Sequence, residues 1–179
     1  MGAPASAPRG GTERVLRLRF KKVLDGRPSL VCHRSDGTVA VQRQNEAFPV
    51  HDFTHYAVES VLGLRRAFYG LMADGWDFDD FGKPWPRGPL PVEAGWAEHV
   101  VGIFWREVGA GVIRPDKTPL DEINWAVAQA SGVVGFPDRT LTAEEVEAIR
   151  RAQQDLIARW RSLPKGETLE LEFPAPDAA

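Results

Sequence analysis

The sequence predicts an α+β fold: an antiparallel sheet of about four strands, three N-terminal and one C-terminal, packed by about four helices. Two observations predict it. Residues 14–24 and 167–173 both alternate apolar and charged side chains, the first stretch with arginines and the second with glutamates. Between them lie segments with helical spacing and helix-end signals, which gives the order βββ-αααα-β and segregates helices from strands.

In the first strand Leu16, Leu18 and Phe20 fall on one side and Arg17, Arg19 and Lys21 on the other, the pattern of a strand with one buried face. Asp25-Gly26 marks a turn. Ser29–Arg34 and Thr38–Gln44 read as the next two strands, separated by Asp36-Gly37. The first helix is expected from about Val50 to Asp74, with Phe53, Ala57, Val61, Leu64, Phe68 and Leu71 on its apolar face. A Pro/Gly-rich stretch, Gly75 to Pro91, reads as a long loop. The second helix starts near Pro91, a favourable first helical position, and runs to about Val108. The third begins at Thr118-Pro119, has Asp121 in its first turn, and is expected to end at Gly132. Thr142 and Glu145 form a capping box that opens the fourth, which carries Val146, Ile149, Leu156, Ile157, Trp160 and Leu163 before Pro164 stops it. In the last strand Leu169, Leu171 and Phe173 alternate with Glu170 and Glu172. Opposite charges on facing strands attract. The last strand is therefore placed beside the first, with the arginines neutralised inside the protein.

The chain has 179 residues, which suits a single domain from 13 to 173. The Ala/Pro-rich tails, 1–12 and 174–179, are expected to be disordered. With 22 basic and 25 acidic residues the net charge is -3, which argues against a nucleic-acid partner recruited by overall charge. No run of 18 apolar residues exists, so no membrane partner is expected. One cysteine rules out an intramolecular disulfide and suits a cytoplasmic protein. Cys32 shares parity with Leu30 and reads as a core residue, with His33 on the opposite face. Gly-x-Ser-x-Gly, P-loop and dinucleotide patterns are absent. Asp77, Asp79 and Gly82 imitate the start of a calcium loop, but Phe81 and Gly88 occupy its fifth and twelfth positions.

The chemistry concentrates in His51-Asp52-Phe53-Thr54-His55-Tyr56-Ala57-Val58-Glu59. Spacing of four aligns His51, His55 and Glu59 along one helical stripe. Two imidazoles one turn apart and a carboxylate can hold one zinc ion. The pentapeptide resembles the His-Glu-x-x-His motif of zinc peptidases, with Asp52 in the place of the glutamate; that resemblance implies two histidine ligands and a carboxylate base. It also resembles the opening of the signature of the ubiquinone-biosynthesis scaffold proteins, whose next glutamate would fall at position 67, where Ala67 stands and the match ends. In the second helix Gly95, Gly102 and Gly109 recur every seven residues, as do Gly63 and Gly70 in the first. A close crossing along these glycines would bring His99 toward His55 and Glu59 as a further ligand.

These residues define the functional expectation. The protein is read as a small soluble metal-binding protein, with a divalent ion, zinc by donor type, on His51, His55, Glu59 and His99. As an enzyme it would be a hydrolase using metal-bound water, with Asp52 or Tyr69 assisting. Arg66, Trp76, Phe78 and Trp85 would line the pocket. The competing reading is a non-catalytic binding or oligomerisation module whose histidines are structural, partnered by a small molecule or a second copy.

Overall fold

The structure, a computed structural model, describes residues 15–24, 26–43, 45, 48–83, 87–109 and 116–174. The expected tails lie outside these residues, except Pro174. Among the described residues three N-terminal strands, β1 (Val15–Lys21), β2 (Ser29–His33) and β3 (Val39–Arg43), precede five helices. The helices are α1 (Phe48–Leu62), α2 (Phe68–Ala73), α3 (Val92–Val108), α4 (Leu120–Val134) and α5 (Ala143–Ser162), with a 3-10 turn at Phe78–Gly82, and β4 (Thr168–Pro174) follows. The sheet order is β3-β2-β1-β4, all antiparallel. This is the expected α+β architecture.

The charge argument that placed β4 beside β1 holds residue by residue. Arg17 faces Glu172 and Arg19 faces Glu170, and the Arg19 Nε donates to Glu170 Oε1 at 2.8 Å. On the other face Leu16, Leu18, Phe20, Leu30, Cys32, Leu169, Leu171 and Phe173 are buried against Val50 and Phe53 of α1 and Leu156, Ile157 and Trp160 of α5. A second cluster joins the far ends of the same two helices to the outer pair. Ala57, Val58 and Leu62 of α1 and Val146 and Ile149 of α5 pack with Trp96, Val100, Phe104, Ile123 and Val127. Helix α1 thus runs from the sheet into the helical cluster and is walled on nearly every side.

The single long helix expected over 50–74 is two helices. Gly63 takes φ +64°, and the Leu64 amide donates back to the Glu59 carbonyl at 2.9 Å, which ends α1. A glycine followed by an apolar residue is the ordinary C-terminal stop of a helix. The elbow is then fixed from outside: Glu93 Oε1 of α3 accepts the Arg65 and Arg66 amides. Gly70 is needed here for another reason than a helix crossing, because a Cβ would lie 2.0 Å from the Arg65 carbonyl oxygen. Helix α4 continues past Gly132 and ends at Gly135, which is left-handed at φ 72°; Gly132 is exposed and passes as an ordinary helical residue. The Thr142–Glu145 capping box of α5 is formed.

Candidate metal centre

Asn45 receives the Phe48 amide on its side chain at 3.1 Å, so α1 starts early enough to include His51. His51 and His55 then lie one turn apart, their rings meeting edge to face with centroids 4.8 Å apart. The third member comes from α3. His51, His55 and Glu98 each offer a ligand atom, and the three atoms lie within 4.8 Å of one another. His55 Nε2 is 3.5 Å from Glu98 Oε1. His99, the expected partner, is exposed and outside this group. The glycine seam that was to deliver it does not form: a Cβ on Gly102 would meet nothing within 4 Å, and Gly95 faces Val134 of α4 rather than α1. Glu98 is found on the other side of α3, in register with Ala94 and Val101, both buried. That stripe of apolar residues is the signal by which sequence reasoning could have found it.

Glu59 is fully buried and stands behind His55 rather than with the ligand group. Its Oε1 accepts from His55 Nδ1 at 3.2 Å, and its Oε2 accepts the Tyr69 amide at 2.9 Å. Buried carboxylates must be bonded in this way, since an unpaired one is very costly. Glu59 thereby ties the first turn of α2 to α1 and directs His55 Nε2 outward. Burial works against a charged imidazole, but the hydrogen bond to Glu59 and the field of Glu98 outweigh it, and His55 holds its proton above the usual histidine range. Burial also pushes the Glu59 carboxyl up, with His55 and the Tyr69 amide opposing. Both groups therefore keep a proton more tightly than in water, and they titrate as a pair.

A cavity of about 180 Å³ opens beside the ligand atoms, lined by Gln42, Phe48, His51, Asp52, His55, Phe68, Phe78, Phe81 and Glu98. Asp52 is buried, with Oδ1 3.5 Å from His51 Nδ1. Tyr69 is in the core and does not line the cavity; its hydroxyl donates to the Asp52 carbonyl at 3.1 Å, and burial, then the charge of Asp52, keeps that hydroxyl protonated. Of the expected pocket residues, Phe78 lines the cavity. Arg66 is exposed, Trp76 is buried with Leu71 and Ala94, and Trp85 lies outside the described residues. A larger depression of about 450 Å³ on the outer sheet face, lined by Arg17, Arg19, His33, Glu170 and Glu172 among others, is separate from the histidines. No helix among the described residues is long and apolar enough to cross a membrane. Comparison with protein families, with curated proteins and with solved structures finds no match for this chain.

Proposed function

We propose that this protein binds one divalent metal ion, zinc by donor type, through His51, His55 and Glu98. The observation that carries the reading is the convergence of their three ligand atoms within 4.8 Å. Donor atoms on a tetrahedral zinc lie roughly 3.3 Å apart, given metal–ligand bonds of about 2.0–2.2 Å. The His55–Glu98 separation of 3.5 Å is already close to that, so only a small closure of His51 is required. Glu59 behind His55 supplies the carboxylate–imidazole arrangement that fixes ring orientation and raises ligand basicity in metal sites. Three protein ligands leave one position for water, and the corresponding reaction class is hydrolysis, with Asp52, which lines the same cavity, as the carboxylate to assist. The setting is cytoplasmic in this reading, consistent with one buried thiol, Cys32.

Metal analysis of the purified full chain tests it, together with zinc titration of the wild type, Glu98→Gln and His55→Ala. One ion per chain in the wild type, lost in His55→Ala with the fold retained, supports the proposal. A wild type that takes up no zinc at micromolar concentrations rejects it and leaves the histidines as structural members of a binding module.

A further inference from the structure

The cavity beside the ligand atoms has a composition that selects among ligands. Its apolar walls are four phenylalanines from three elements: Phe48 of α1, Phe68 of α2, and Phe78 and Phe81 of the 3-10 turn. Phe68 packs on Phe81 at 4.8 Å and on Phe78 at 6.2 Å between centroids. The turn that carries two of them is held rigidly for so short an element. Asp77 and Asp80 close a reciprocal capping box, Arg34 bonds the Met72 and Trp76 carbonyls and pairs with Asp77, and Arg87 pairs with Asp80. The wall is therefore in place before any ligand arrives. Its volume of about 180 Å³ matches a single six-membered ring, since a dry cavity of about 150 Å³ holds benzene.

The charges point the same way. Glu98 and Asp52 line the cavity and Glu59 stands directly behind His55. Three carboxyl groups already offset a divalent ion. Among the described residues lining the cavity there is neither a lysine nor an arginine, in contrast to the depression on the outer sheet face. An entering anion would meet acidic groups and no unspent cation, whereas an uncharged donor atom would meet the metal with no such penalty.

Building on the metal reading above, we propose that this centre accepts a small, flat, uncharged molecule, an aromatic ring bearing a neutral nitrogen or oxygen donor, and excludes anions of similar size. The ring lies between the phenylalanines and the donor atom occupies the metal's open position.

Cobalt(II) tests this in the full chain, because its visible bands report each ligand that binds. Cobalt uptake is measured first; pyridine, benzoate and acetate are then titrated, each affinity being divided by that for the aqueous ion. The expected result is a normalised pyridine affinity about tenfold or more above that of benzoate. Phe81→Ala should weaken pyridine about three- to tenfold and leave acetate unchanged. Should Phe81→Ala not fold, Phe78→Leu on the same wall gives the same comparison. Cobalt uptake with benzoate binding as tightly as pyridine, or with pyridine indifferent to the wall substitutions, overturns this inference alone. A chain that takes up no cobalt overturns the metal reading and this inference with it.

Discussion

On the outer sheet face Glu170 meets Arg19 with side chains 65% and 49% exposed, while on the far side of the core Glu59 meets His55 with 0% and 3% exposed. The first pair is bathed in water, which screens it and bonds either partner when the other leaves. Its contribution is mainly to register, since sliding β4 by one residue would set its glutamates against the core. The second pair has no water to fall back on, so both oxygens of Glu59 are committed, one to His55 and one to the Tyr69 amide. The partners also differ in kind. A guanidinium keeps its proton at any working pH, whereas an imidazole can surrender its own and present a lone pair. Only the buried pair can therefore exchange a proton for a metal ion.

Removing residues 166–179 gives the largest expected effect on this comparison, because it takes away the solvated glutamates together with Leu169, Leu171 and Phe173 beneath them. The cooperative thermal transition should disappear, and an unchanged melting temperature would show that β4 is dispensable. Next in size is a third pair, a guanidinium on a carboxylate like the first but buried like the second. Arg150 bonds Glu107 through two nitrogens at 2.9 and 2.7 Å, and Glu107 also receives the Thr118 amide at 3.0 Å. Arg150→Ala leaves that carboxylate buried without its cation and should cost about 3–5 kcal/mol in denaturant unfolding.

Glu59→Gln is expected to cost roughly 1–3 kcal/mol of stability, since one buried acceptor is lost. If the centre holds zinc, the same change should weaken binding by about 10- to 100-fold. The pH dependence separates these effects. Protonated imidazole cannot ligate, and His55 is raised by Glu59 and Glu98, so zinc affinity should begin to fall on acidification while the pH is still above the ordinary histidine value of about 6.5. In Glu59→Gln the burial that opposes the charged ring remains while the carboxylate that favours it is gone, so the pH below which affinity declines should move lower even as affinity itself is weaker; an onset that stays in place would argue that Glu59 is only structural. The smallest effect belongs to the surface: Arg19→Ala should change stability by less than about 1 kcal/mol, and by still less in high salt.

The sheet was legible because its two signals, period-two burial and opposite charge, act between neighbouring strands and are written along each strand in turn. On α1 the four-residue spacing of His51 and His55 is likewise written locally, but Glu59 bonds His55 and the Tyr69 amide and stands outside the ligand group. What failed was the meeting of α1 with α3. One residue along a helix turns the side chain by about 100°, so choosing His99 in place of Glu98 required only a wrong judgement of which side of α3 reaches His55. The recurring glycines suggested one side, while the apolar stripe of Ala94, Ala97 and Val101 marked the other. The break at Gly63 was missed because the apolar spacing runs on through it, although Gly63-Leu64 carried a stop signal of its own. The aromatic wall of the cavity was not legible, because the placing of Phe78 and Phe81 depends on Arg34 and Arg87 clamping their turn from a distance, which no local pattern encodes.

Val15 and Pro174 are facing partners at one end of the β1–β4 ladder. The described residues are thus entered and left at a single corner, in the manner of a cassette. A host protein could receive them within an exposed hairpin turn without its own flanks being pushed apart. By the same geometry a short linker across that corner, with new ends opened in an exposed connection such as the one at Asp36-Gly37, would give a circular permutant whose sheet is unaltered.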